Sequence, residues 1–252
     1  FGNNPKINHF FHILFYSVSN VLLLLLLLLL FRNYHYSIPF VITLLYSAHP
    51  IHTEVVASIT SRTEILSLFF SILAMIFLMQ HVLKGMPSLK NIFLSAAFYF
   101  CSLLSKENSI TLALVIPFLL YFFTPLEWKK IAFLSLLYVG VMVFYLLIRN
   151  AVLDTVVFGE KLDIINNGLM AAKTNSEMVA TNFVILGNYV TLLFFPHPLS
   201  WDYSYNHFPI TNWADLKSIG SLLLYLALGI YSLFAMRKKD PIAFGILFFI
   251  LT

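Results

Sequence analysis

Asn20-Val21-Leu22-Leu23-Leu24-Leu25-Leu26-Leu27-Leu28-Leu29-Leu30-Phe31-Arg32 is an unbroken leucine run closed by a cation. A helix with no hydrophilic face belongs inside a large core or a bilayer. The rest of the chain decides for the bilayer. Of 252 residues, 60% are hydrophobic and 10% charged, with mean hydropathy +0.87. A soluble domain carries about 25% charged residues. Long apolar runs, rather than short alternating segments, argue against a transmembrane barrel. The fold class is therefore all-α, a polytopic transmembrane helical bundle. The leucine run itself carries no chemistry and reads as lipid-facing.

Outward from that run, apolar stretches at about 9–31, 36–48, 63–80, 91–104, 109–123, 130–148 and 218–236 are candidate spans, and another begins near 242. Two polar segments, 150–175 and 196–217, flank a moderately apolar run at 176–195. Arg32, Lys84, Lys90, Lys129, Lys130, Arg237, Lys238 and Lys239 fall in four short loops, joined there only by Glu127 and Asp240. Basic short loops face the cytoplasm. The other acids, including Glu54, Glu64, Glu107, Asp202 and Asp215, then share the outer side. This pattern favours 149–217 as one external loop. In it, Glu177, Thr181, Asn188 and Thr191 recur at helical spacing, as in an amphipathic helix lying in or dipping into the outer leaflet. The chain reads as a single transmembrane domain over 1–252. It starts at Phe1 without an initiator Met and stops inside an apolar run, as a piece of a longer protein would.

Charge within or at the rim of a bilayer costs a few kcal/mol per group, so the charges spent there point to a site. His49-Pro50-Ile51-His52-Thr53-Glu54 follows one short span, and Lys106-Glu107-Asn108 follows another. About fifteen residues at about 1.5 Å each reach about 22 Å, less than the hydrocarbon thickness of about 30 Å. Both clusters should lie at similar depth, just below the outer surface, and Arg149 ends the longer run 130–148 on that face.

Each cluster has more than one reading. Two imidazoles and Glu54 leave a divalent metal open, although Pro50 disrupts the local helix. Binding of an anionic or sugar group is the alternative, and a polar helix end is a third. Glu54, Ser58 and Arg62 would share one face of any helix through them. Lys106-Glu107 could neutralise itself, or Lys106 could reach a phosphate. Arg149 suits bidentate phosphate binding or simple snorkelling. Phe195-Pro196-His197-Pro198-Leu199-Ser200-Trp201-Asp202-Tyr203 suits either a sugar ring or the membrane interface, where Trp and Tyr collect. The single cysteine, Cys101, excludes an internal disulfide and a cysteine zinc site. No phosphate-binding glycine loop or nucleophile elbow is present, and no basic stripe suggests nucleic acid.

Four motifs occur in order: His49-Pro-Ile-His-Thr-Glu-Val-Val-Ala, Ser61-Arg62-x-Glu64-Ile-Leu, Leu104-Ser-Lys-Glu107, and Phe195 to Tyr203. With them the chain resembles the membrane half of the transmembrane and tetratricopeptide-repeat O-mannosyltransferases and their bacterial relatives. The resemblance implies a GT-C-like fold and transfer of a sugar, mannose among the options, from a polyprenyl-phosphate carrier to a protein or glycan acceptor on the outer membrane face. It implies that Arg62, Lys106 and Arg149 face the donor phosphate. It also implies that His49, His52, Glu54, Glu64, Glu107, His197 and Asp202 position substrate. The catalytic acid of such enzymes sits in the first external loop, so it is expected upstream of Phe1. The implied location is a bacterial inner membrane, with the site facing the periplasm. A transporter or flippase of lipid-linked saccharides, or a scaffold without catalysis, is the rival reading.

Overall fold

The computed structural model describes residues 5–83, 88–153, 167–200 and 206–252. Among these every regular element is helical, as the composition requires: α1 (Pro5–Leu30), α2 (Ser37–Ala48), α3 (Thr53–Ala57), α4 (Arg62–Leu83), α5 (Leu89–Ser105), α6 (Leu112–Phe123), α7 (Trp128–Leu153), α8 (Asn175–Phe194), α9 (Leu216–Met236) and α10 (Pro241–Leu251). Five of them, α1, α4, α7, α8 and α9, are long and apolar enough to cross a membrane. The chain is an integral membrane protein.

Local chemistry sets the helix ends. Ser88 caps α5 by accepting from the Asn91 amide (3.4 Å). Thr174 and Glu177 cap α8: the Thr174 hydroxyl accepts from the Glu177 amide at 3.1 Å, and the Glu177 carboxylate accepts from the amide of Lys173, the residue before the cap, at 2.9 Å. Asp240 caps α10 through the Ile242 amide (2.9 Å), with Pro241 in the first helical position, where its missing amide hydrogen costs nothing.

The chain divides into two compact units, Phe1–Asp154 with Ala235–Thr252, and Thr155–Phe234. The core of the first gathers Leu26 and Leu30 of α1, Ile72, Leu78 and Met79 of α4, Tyr99 and Leu103 of α5, and Val115, Ile116, Leu119 and Leu120 of α6. The leucine run is therefore not uniformly lipid-facing. Leu26 and Leu30, one turn apart, enter this core, while Leu25 and Leu28 stay exposed.

Small polar residues bring α4 and α5 together. The Ser102 hydroxyl of α5 donates to the Ser67 carbonyl of α4 (2.9 Å) and lies 2.7 Å from the Ser71 hydroxyl. Ser109, in the 3-10 turn Glu107–Thr111, lies 2.6 Å from Ser102 and 2.5 Å from Ser67. Such hydroxyls hold membrane helices at close range where apolar side chains gain nothing over lipid.

The basic loops also converge. Phe31, just past α1, packs on Phe123 at the end of α6 (5.6 Å), and Phe123 packs on Phe244 of α10 (5.0 Å). Lys239 donates to the Thr124 carbonyl (2.8 Å) and lies 5.1 Å from the Tyr121 ring.

In the second unit, α8 and α9 run in the same direction. Ser218 donates to the Ala180 carbonyl (3.1 Å), and Tyr225 to the Leu186 carbonyl (3.1 Å). Gly187 allows the close approach, since a Cβ there would stand 2.0 Å from the Ser221 hydroxyl. A parallel pair needs a connection that returns the length of a helix. The segment after Phe194 does so: the Thr211 amide donates to the Thr181 hydroxyl (3.0 Å), and Trp213 meets Phe183 (5.8 Å). A cleft of about 1040 Å³ opens between this connection and the two helices, lined by Asn188, Thr191, His207, Asp215, Lys217 and Ser221 among others.

Candidate functional site

At the end of the first unit opposite the basic loops, the starts of α1 and α4 meet the ends of α2, α5 and α7. Each helix end delivers a polar residue. Lys106 ends α5 in an extended conformation (φ −154°, ψ 133°), so Lys106 and Glu107 point to different helices. Lys106 forms an ion pair with Glu64 in the first turn of α4. Glu107 forms one with Arg149 near the end of α7. The pair adjacent in sequence therefore does not neutralise itself, and Arg149 does not merely snorkel. Both cations are held between helices.

Arg62, the first residue of α4, differs from these two. Among the described residues no carboxylate pairs with it. Its guanidinium donates through Nη2 to the Asn8 side-chain carbonyl of α1 (3.0 Å), and its buried Nε has no hydrogen-bond partner among the described residues. A guanidinium presents a planar fork of donors that matches phosphate, and it stays charged at any working pH.

The Glu54–Arg62 stretch does not form the helix face expected of it, and the turn before it is ordered locally. His49 caps the 3-10 turn Pro50–His52, its Nδ1 accepting from the Ile51 amide at 3.2 Å. After α3 the chain is extended at Ser58 (φ −83°, ψ 119°) before a second turn leads into α4. That break removes the shared face of Glu54, Ser58 and Arg62. Glu54 is exposed, and among the described residues it has no side-chain partner. No three His, Cys, Asp or Glu side chains converge as metal ligands among the described residues, so His49, His52 and Glu54 do not form a ligand set.

His52 instead sits in an aromatic nest. Its ring centroid lies 4.4 Å from Tyr46, 5.9 Å from Tyr16 and 6.3 Å from His49. Burial, and secondarily the neighbouring His49, push its pKa below the usual 6.5, against a smaller opposing effect of the Tyr46 backbone. The imidazole is therefore held neutral near neutral pH.

Of the residues named from the sequence, the structure gathers Arg62, Glu64, Lys106, Glu107 and Arg149 with His49 and His52 at this end. His197 lies in the other unit, exposed just past α8. Asp202 lies outside the described residues.

The sequence reading took α1 as a span over about 9–31 but missed its polar stripe. Asn8, His12, Tyr16 and Asn20 recur every fourth residue and so form one stripe along the helix, about 18 Å long. Asn8 meets Arg62; His12 is buried; Tyr16 touches the His52 ring and donates to the Ser47 carbonyl at the end of α2 (3.0 Å). The spacing was visible in the sequence. Averaging over an apolar run hides it.

One curated protein resembles the chain over most of its length and another over less than half of it. It is 26% identical over 250 residues to "Protein O-mannosyl-transferase tmtc2" of Xenopus laevis, an overlap that covers 92% of this chain and 30% of the frog protein. It is 33% identical over 119 residues to "Protein O-mannosyl-transferase TMTC1" of Homo sapiens, covering 44% of this chain and 13% of the human protein. The chain thus spans under a third of the length of these relatives. No family model and no solved structure matches it.

Proposed function

From a chain related to the protein O-mannosyltransferases, we propose a glycosyltransferase membrane domain that uses a polyprenyl-phosphate sugar, with mannose as the first candidate, and a protein or glycan hydroxyl as acceptor. The observation that carries this reading is the state of Arg62. Of Arg62, Lys106 and Arg149, Arg62 is the one with no carboxylate partner among the described residues. An anion binds where positive charge is unspent.

In the reaction the bond from the anomeric carbon to the phosphate oxygen breaks. A bond from that carbon to the acceptor oxygen forms, and the acceptor proton passes to a general base. By the family resemblance that base is a carboxylate in a loop preceding Phe1. Arg62 holds the donor phosphate and stabilises the charge left on it. Lys106 and Arg149, paired with Glu64 and Glu107, add no net charge but occupy the two carboxylates, leaving the charge of Arg62 for the phosphate. Neutral His52, against the same face of α1 but nearer Tyr16, offers a hydrogen-bonding group to sugar or acceptor without further charge. His49, Glu54, His197 and Asp202 are candidates for contacts to sugar or acceptor.

The site opens on the outer membrane face, which in a bacterial inner membrane is the periplasmic one. The charge rule puts the start of α9 outside, because Arg237, Lys238 and Lys239 follow its end. Since α8 runs parallel to α9, it also starts outside, and the connection returns there. This supports 149–217 as one external segment, with α8 dipping into the membrane.

The test is radiolabelled sugar transfer in membranes containing the full-length protein. Arg62→Ala should cut transfer at least tenfold at fixed donor, about what loss of one charge-assisted contact costs, at unchanged protein level. Undiminished transfer overturns the assignment.

A further inference from the structure

We propose that Asn8 is a positioning residue for donor binding: it aims the Arg62 guanidinium without neutralising it. The proposal rests on the reading of Arg62 as the phosphate anchor.

Arg62 opens α4, and its side chain has several rotatable bonds. A long side chain at a helix end gives up much rotamer freedom when held in one place. The Asn8 contact, 54 residues away in sequence, is the hydrogen bond that fixes it. Lys106 and Arg149 are fixed differently, each by a carboxylate. A carboxylate on Arg62 would hold it as well or better, because charged hydrogen bonds are about twice as strong as neutral ones. It would also compete with phosphate for the same donors. An amide oxygen orients the guanidinium and leaves its charge for a ligand. The unpartnered, buried Nε is consistent with a guanidinium that keeps donor capacity in reserve.

The position of Asn8 suits this task. It heads the stripe continued by His12, Tyr16 and Asn20, whose member Tyr16 bonds the end of α2 and touches His52. One face of α1 thus supports both Arg62 and the His52 nest. A shift of α1 would move both together.

Asn8→Asp separates positioning from packing, because it keeps the shape and changes only the charge. The full-length protein in membranes is assayed for donor KM, kcat and thermal stability as wild type, Asn8→Ala, Asn8→Asp and Arg62→Ala. In the expected result Asn8→Ala raises donor KM about tenfold, with a smaller fall in kcat. Asn8→Asp raises it at least as much while leaving the protein as stable as wild type or more so. A residue that merely packs α1 against α4 would show activity and stability falling together, with Asp no worse than Ala, and that outcome overturns the proposal. If Arg62→Ala leaves donor KM unchanged, the phosphate reading fails and the positioning role fails with it. If Arg62→Ala raises donor KM but both Asn8 variants match wild type, only the positioning role fails.

Discussion

Lys106 and Glu64 are 42 residues apart in sequence, yet they close an ion pair between the end of α5 and the start of α4. Their side chains are 31% and 38% exposed, so solvent and headgroups screen the attraction. The pair should contribute only about 0.5–1 kcal/mol to stability. Glu64→Gln and Lys106→Gln should each lower the thermal midpoint of the purified protein in detergent by a few degrees. The exchange Glu64→Lys with Lys106→Glu should restore most of that loss. Single variants as stable as wild type would mean that the pair adds nothing.

The serine cluster one turn below that pair should matter more. Ser102 is fully buried and bonds Ser67, Ser71 and Ser109. Ser102→Ala removes these bonds at a cost of about 1–2 kcal/mol, near the upper end for membrane hydroxyls. Ser102→Val adds overpacking of about 1–3 kcal/mol at the α4–α5 contact. Thermal midpoints should therefore fall in the order wild type, Ala, Val. Equal midpoints for Ala and Val would show that the two helices do not need a small residue there.

The bundle was legible in the sequence and the wiring of its site was not. Spans such as 36–48 and 109–123 stop at the last residues of α2 and α6, because apolar runs bounded by charge or proline leave the chain little choice. Which cation meets which acid depends on backbone angles that no spacing reveals. Lys106 and Glu107 look like a local pair until the extended conformation at Lys106 sends them to α4 and α7. Glu54 and Arg62 look like one helix face until Ser58 breaks it. Asn8 and Tyr16 acquire meaning only once α4 and α2 are packed beside them.

The neutral state of His52 has a consequence for pH. Its pKa is lowered in the folded protein, so between that value and 6.5 the unfolded chain binds more protons. Stability is therefore greatest above about pH 6.5 and declines as pH falls towards the folded pKa. The thermal midpoint of wild type should drop on acidification from pH 7.5 to 5.5 by more than that of His52→Asn. Parallel curves for the two proteins would show that His52 is not the group responsible.

The parallel course of α8 and α9 leads to a topology that labelling can decide. If α8 crossed completely, His197 would reach the cytoplasmic side, and the segment from there to Thr211 would recross to bond Thr181. Among its described residues, 195–200 and 206–215, none is helical. Exposed non-helical backbone in hydrocarbon leaves amides and carbonyls unsatisfied at several kcal/mol each. A helix that enters from outside only part way keeps its return segment near the interface, where water and headgroups can satisfy those groups. Cysteines placed singly at positions 173, 197, 217 and 238, with Cys101→Ala as background, should then divide unequally. Positions 173 and 217 should react with an impermeant thiol reagent added outside, and 238 only after permeabilisation. Position 197 should react from outside or not at all. Labelling of 197 from the inner side alone, with 173 and 217 still outside, would require α8 to traverse the bilayer and would remove the single external segment.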